Sequence, residues 1–272
     1  MESFVDMLET LPPKARWPQM RTYGLSLSLD QRGCRLVQDT MDEMETVELK
    51  QLLDEIRGHA EKLCDSLHGN HVLQKVISVA PCRRSAFILD ELIASKSILG
   101  LACDPFGCRV LERCCEHFDL HAWPLLLGAL VVHAKDLSTH HFGNFVVQHM
   151  LEYGPDDVRQ LLVCMICENL EELLAQNKKD VISRVIDKAL TYAQPKDRWP
   201  LMLRIVESPD AVATLLERGS TCGPIIALVM VVQRDERAYG QCAQKAHIRR
   251  TLSKHMPRLR AICDYLPSDY RA

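Results

Sequence analysis

Along this chain, apolar residues gather into short stripes, and four of the stripes open on similar segments. These are Gly33-Cys34-Arg35-Leu36-Val37-Gln38, Gly69-Asn70-His71-Val72-Leu73-Gln74, Gly107-Cys108-Arg109-Val110-Leu111-Glu112 and Gly143-Asn144-Phe145-Val146-Val147-Gln148. Apolar residues stand two, three, six and seven places after the residue that follows the glycine: Val72, Leu73, Val76 and Ile77 in the second copy, Val146, Val147, Met150 and Leu151 in the fourth. At about 100° per residue these positions share one helical face. The pattern predicts amphipathic helices whose first, second and fifth motif residues point away from the core. In the fourth copy those are Asn144, Phe145 and Gln148.

The residue after the glycine falls at 34, 70, 108 and 144, giving spacings of 36, 38 and 36. Two weaker copies follow, Lys179-Asp180-Val181-Ile182-Ser183 after 35 residues and Gly223-Pro224-Ile225-Ile226-Ala227 after 44. The longer step places an insertion near Ala193 to Pro209. Ala122 to Val132 and Asp156 to Leu174 carry further helical patterns, with Asp156-Asp157 starting a helix at its positive end. Each unit therefore has room for about three short helices. One unit cannot bury its own stripe, so neighbours must stack. The expected fold is all-α, a solenoid of about six three-helix repeats. The expected boundaries are an N-terminal extension or partial capping repeat over 1–22, repeats over 23–58, 59–96, 97–132 and 133–167, a degenerate fifth with its insertion over 168–211, a degenerate sixth over 212–247, and a helical cap over 248–272.

A length of 272 residues is long for one compact core and ordinary for a stack. With 47% apolar and 25% charged residues, disorder is excluded. A net charge of −3 excludes a uniformly basic surface, so any nucleic-acid face must be local. Twelve cysteines are scattered, and no basic start followed by an apolar stretch precedes them. They are expected as reduced thiols in the cytosol or nucleus, used as small core residues. Cys164 and Cys167 have metal-like spacing but no second pair, and His149 with Glu152 lacks further ligands, so no metal site is expected. The longest apolar run, Trp123 to Val132, is too short to span a bilayer, and no membrane partner is expected. No Gly-rich phosphate loop or nucleophile–base pairing stands out, so neither an enzyme nor a cofactor is expected. His140 and His141 are read as shaping the turn before their motif helix.

The outward residues carry the candidate chemistry. Arg35, His71, Arg109 and Phe145 all have flat faces, and at a regular rise they would sandwich unstacked bases. Cys34 with Gln38, Asn70 with Gln74, Cys108 with Glu112, and Asn144 with Gln148 would then reach the bases' Watson–Crick edges. Two carboxamides offer donors and acceptors, which suits uracil; a glutamate only accepts, which suits the two edge donors of guanine. Lys75, Arg113, His149 and Arg184 follow the fifth slot and form a candidate phosphate row. A solvated helix face on a protein-binding solenoid is the competing account, and four triplets in register weigh against it.

These segments resemble the Pumilio/PUF family of RNA-binding repeat proteins. The resemblance runs over about residues 23 to 250, through Gln31 to Gln38, Leu67 to Lys75, Asp104 to Glu112 and His141 to His149, with Lys245-Ala246-His247-Ile248 similar to the family's closing segment. It implies a right-handed crescent whose concave face binds single-stranded RNA antiparallel to the protein, one base per repeat. Under the family's recognition pattern, Cys34/Gln38 implies A, Asn70/Gln74 U, Cys108/Glu112 G and Asn144/Gln148 U, which spells UGUA. Cys108 departs from the serine usual at a guanine reader, and Lys179, Asp180 and Ser183 match no reading triplet. The resemblance further implies a cytoplasmic monomer. It would bind mRNA 3′ untranslated regions and recruit translation repressors or deadenylases. A nucleolar relative of low sequence specificity that serves ribosome assembly is the alternative.

Overall fold

The computed structural model describes residues 2–176 and 181–218. Among them every regular element is helical. Contacts divide the chain into two units, residues 1–129 and residues 130 onward.

The first unit opens with α1 (Glu2–Glu9) and α2 (Pro13–Met20). Helix triplets follow: α3 (Gly24–Leu29), α4 (Gly33–Met41) and α5 (Thr46–Ile56), then α6 (Ala60–Cys64), α7 (Gly69–Val79) and α8 (Cys82–Ser95). The third comprises α9 (Ile98–Cys103), α10 (Gly107–His117) and α11 (Pro124–Val132), whose last three residues fall in the second unit. A single 3-10 turn, Leu120–Ala122, precedes α11. In the second unit, α12 (Ala134–Thr139), α13 (Gly143–Tyr153) and α14 (Asp156–Glu168) precede α15 (Leu170–Gln176), α16 (Val181–Tyr192), α17 (Pro195–Glu207) and α18 (Pro209–Arg218). The pattern read over 156–174 is thus two helices, broken at Asn169, whose side-chain amide turns back to the Met165 carbonyl at 2.8 Å.

Each triplet has a short first helix, a longer motif helix and a third helix, and like packs on like. In the first unit α4 lies against α7 and α7 against α10, with α5 against α8; in the second, α13 lies against α16 and α14 against α17. The apolar stripes supply the core. Val72, Leu73, Val76 and Ile77 are buried, as are Val146, Val147, Met150 and Leu151, and Ile182, Val185 and Ile186. Burial of each such side chain contributes about 1.5–3 kcal/mol. Cys64, Cys108, Cys114 and Cys115 belong to this core, and burial pushes the Cys64, Cys108 and Cys115 thiols up to about 12. Among the described residues, no helix is long and apolar enough to cross a membrane.

The glycine that opens each motif helix has a packing reason. A Cβ on Gly69 would sit 2.7 Å from the Leu63 carbonyl oxygen, and one on Gly33 2.6 Å from that of Leu27. The motif helix therefore starts pressed on the backbone of its own first helix. Three residues before the glycine, a side chain caps the start. Asp30 Oδ1 accepts from the Gly33 amide at 2.7 Å, Ser66 Oγ from Gly69 at 3.0 Å, Asp104 Oδ1 from Gly107 at 2.6 Å and His140 Nδ1 from Gly143 at 3.1 Å. Such caps satisfy amides that have no partner within the helix. His140 thus shapes the turn, in the tautomer with its proton on Nε2.

The stretch expected to hold an insertion, Ala193 to Pro209, is instead a regular third helix, α17. Its sequence Pro195-Lys196-Asp197-Arg198-Trp199-Pro200-Leu201-Met202 repeats that of α2, Pro13-Lys14-Ala15-Arg16-Trp17-Pro18-Gln19-Met20. The shared arginine closes the end of the preceding helix: Arg16 Nε donates to the Leu8 and Leu11 carbonyls at 3.2 and 2.9 Å, and the buried Arg198 to that of Ala193 at 3.0 Å. Arg159 of α14 does the same for α13, donating to Leu151 at 2.7 Å and Gly154 at 2.8 Å. By this relationship α1 and α2 stand as a motif helix and a third helix.

Candidate nucleic-acid interface

The second-slot residues stand at the open side of their helices. Arg35 and His71 are exposed on α4 and α7, and Arg109 is half-buried on α10. In the second unit Phe145 is half-buried on α13.

The first-slot residues differ from expectation. Rather than facing solvent, Cys34, Asn70, Cys108 and Asn144 are all buried, none more than 4% exposed. The close approach imposed by the glycine folds the next side chain under the preceding turn. There its polar group meets carbonyls: Asn70 Nδ2 donates to Ser66 and Leu67 at 2.8 and 3.1 Å, and Asn144 Nδ2 to His140 and His141, both at 2.8 Å. The two cysteines make the weaker equivalents, Cys34 Sγ to the Gln31 carbonyl at 3.4 Å and Cys108 Sγ to that of Pro105 at 3.6 Å.

The fifth-slot residues are then oriented by the first. Gln74 Nε2 donates to Asn70 Oδ1 at 2.9 Å, and Gln148 Nε2 to Asn144 Oδ1 at 2.7 Å. With asparagine's two N–H groups spent on backbone, its oxygen fixes which way the glutamine amide faces. The glutamine keeps Oε1 and a second N–H, an acceptor and a donor side by side, which matches N3–H and a carbonyl of uracil. In the first triplet cysteine offers no such oxygen, and Gln38 Nε2 turns to the Cys34 carbonyl at 3.0 Å. In the third, Glu112 is buried and takes Arg109 Nη1 on both oxygens, at 2.8 and 3.1 Å. A carboxylate only accepts, which is the chemistry that suits the two edge donors of guanine.

Three of the four candidate phosphate-row residues are already engaged with protein. Lys75 Nζ pairs with Asp42 Oδ1 of the previous triplet at 2.5 Å, and Arg113 Nη1 with Glu116 Oε2 at 2.6 Å. His149 Nδ1 contacts the Phe145 carbonyl at 3.0 Å, and its ring stacks on Tyr153 at 5.7 Å. Arg184 is exposed on α16. Sequence reading missed the acidic partners. Asp42 and Glu152 both stand eight residues beyond the first slot, at 34 and 144, and Glu152 takes Lys188 of the next triplet.

The fifth copy is only partly described. Ser183 is buried on α16, with its hydroxyl unpartnered among the described residues. Lys179 and Asp180 lie outside the described residues, as do Gly223, Pro224 and Ala227 of the sixth copy and the closing segment Lys245 to Ile248.

Comparison with known proteins matches this arrangement. The model of the Pumilio-family RNA binding repeat fits residues 24–57, 67–93, 97–121, 133–167 and 183–206, more than half of the chain. Fem-3 mRNA-binding factor 1 of Caenorhabditis elegans is 25% identical over 186 residues, covering 61% of this chain and 30% of that protein. Pumilio homology domain family member 4 of Saccharomyces cerevisiae is 31% identical over 161 residues, 58% of this chain and 17% of that protein. The chain thus spans less than a third of the length of these relatives. Among solved structures, the Puf3 RNA binding domain bound to the Cox17 RNA 3′ UTR recognition sequence, site B, superposes with a TM-score of 0.69 at 21% identity, over 95% of this chain and 75% of that one. PUF-8 in complex with PBE-RNA gives 0.67 at 22% identity, over 89% and 74%. At such identities the likeness establishes the helical-repeat solenoid fold.

Proposed function

Since the chain belongs to the Pumilio family of RNA binding repeats, we propose that its motif helices read single-stranded RNA, one base each, with a preference for UGUA. The observation that carries this reading is the paired asparagine–glutamine network of α7 and α13. Twice, at an equivalent place, a buried asparagine spends its amide on backbone and fixes a glutamine beside a flat side chain. A surface serving only solubility has no need of such orientation. His71 and Phe145 supply the stacking faces beside these edges, and Arg35 and Arg109 do so for the other two bases. Stacking is worth about 1–3 kcal/mol per base.

On this reading, Gln148 and Gln74 take the two uracils, Glu112 the guanine and Gln38 the adenine. The polarity is antiparallel, so α13 meets the 5′-most base. The setting proposed with it is binding in mRNA 3′ untranslated regions in the cytoplasm, with recruitment of translation repressors or deadenylases; a solved domain of similar fold bound to an RNA 3′ UTR recognition sequence supports the first of these. The protein acts as a monomer in this scheme. Filter binding at physiological salt, with UGUA RNA and the same RNA scrambled at those four positions, tests the proposal. Clear preference for UGUA is expected; equal affinity for both would overturn base reading.

A further inference from the structure

A cleft recurs between the N-termini of successive third helices, and its two occurrences differ in chemistry. In the second unit it lies between α14 and α17 and measures about 500 Å³, and its charged residues are mainly acidic, Asp156, Asp157 and Asp197 against Lys196. In the first unit its counterpart lies between α5 and α8 and measures about 450 Å³. There Met41, Met44, Leu49 and Val79 make an apolar floor, and Arg83 and Arg84 stand at the mouth. Val79 is 36% exposed, a large apolar side chain left facing the opening.

The charge at this mouth is positive although the chain as a whole is acidic. Arg83 is exposed, and Arg84 reaches across to the Thr46 carbonyl at 3.3 Å. The carboxylate that lines the cleft, Asp42, is held by Lys75. Glu45 and Glu48, nearby in sequence, are tied into the N-terminus of α5 by a reciprocal capping box. Among the residues that line the cleft, two arginines stand against one carboxylate that is already paired, so the arginines set its sign.

We propose that this cleft docks an acidic peptide, a partner segment that sets large apolar side chains on the methionine-rich floor and a carboxylate against Arg83 and Arg84. Methionine adapts its shape to varied apolar groups, and guanidinium pairs with carboxylate in a two-pronged geometry. RNA phosphate would satisfy the arginines but leave the floor uncovered. Position also separates this site from the base-reading edges. Met41 and Val79 end α4 and α7, whereas Cys34 and Asn70 begin them, and a helix of that length spans about 15 Å. Peptide and RNA would bind the same repeats together. The proposal stands independently of the RNA reading.

The test is selection of binders to the whole chain from a phage-displayed random peptide library. Affinities follow by fluorescence polarisation for wild type and for Arg83→Glu, a change at an exposed side chain. Selected peptides should combine Asp or Glu with Leu, Met or Phe, and should bind Arg83→Glu about 10-fold or more weakly, the loss of one charged pairing. They should also slow alkylation of Cys82, the exposed thiol next to Pro81 on the cleft wall, as read by peptide mapping. UGUA RNA affinity should not change in the variant. Selection without an acidic–apolar bias, no selected peptide at all, equal affinity for the variant, or an unprotected Cys82 would overturn the proposal. So would Arg83→Glu weakening RNA binding while peptide binding stays intact.

Discussion

Gln148 Nε2 lies 2.7 Å from Asn144 Oδ1, one helical turn away, and both amide hydrogens of Asn144 point to the backbone carbonyls of His140 and His141. The asparagine is thus a fixed support and the glutamine the group it aims. Replacing both, Asn144→Ala with Gln148→Ala, should remove about 1–3 kcal/mol of discrimination, the range for a two-point side chain–base contact. Binding to UGUA RNA should fall, and binding to an unrelated RNA should change little. Equal losses on the two RNAs would count against base reading at this helix.

Cys108 directs its thiol to the Pro105 carbonyl, and the acceptor set of its helix belongs to Glu112. Cys108→Ser should therefore keep the guanine preference, because serine can make the same backbone contact with its hydroxyl. Competition binding across the four bases at that position checks this. A switch of preferred base would refute the assignment of Glu112 as the reader.

Lys75 is held by Asp42, so the phosphate row contributes less than its charges suggest. Asp42→Asn should release the ammonium for RNA. Each added phosphate contact on a single strand steepens the plot of log affinity against log salt by about 0.7. A salt titration of the variant beside wild type reads the difference directly. An unchanged slope would show that Lys75 does not face the RNA backbone.

Arg159 closes the end of α13 with hydrogen bonds to the Leu151 and Gly154 carbonyls. Arg159→Met should cost about 2 kcal/mol, since hydrogen bonds to a charged group are worth about 1.5–3 kcal/mol and the carbonyls lose their donor. Arg159→Lys should recover little, because a single ammonium cannot reproduce the planar fork. Urea unfolding midpoints measure both.

Thr22 has a φ of 73°, in the left-handed region, and Gly58 occupies the equivalent turn of the next triplet with a φ of 79°. A β-branched residue is strained there by about 1–2 kcal/mol, against an entropic cost of about 0.5–1 kcal/mol for glycine in the unfolded chain. Thr22→Gly should therefore be stabilising by about 0.5–1 kcal/mol. A lowered melting temperature for this variant would be the contrary result.

The chain's own pattern determined the repeat, the motif helices and their buried stripes. Helical periodicity and a period near 36 residues are local properties, carried by residues such as Val72, Leu73, Val76 and Ile77 wherever the helix finds a neighbour. The candidate reading residues were legible for the same reason, as they recur at fixed slots. What each slot touches was decided by tertiary structure. Asn70 and Asn144 are buried supports because the glycine before each presses the helix onto a leucine of the preceding short helix, Leu63 or Leu137, a distance no residue pattern records. The partners of Lys75 and Lys188 lie one repeat away, and α17 reads as an insertion until its arginine is seen closing the helix before it. Periodicity fixes which face a side chain takes, whereas burial, capping and charge pairing depend on what the next repeat sets opposite it.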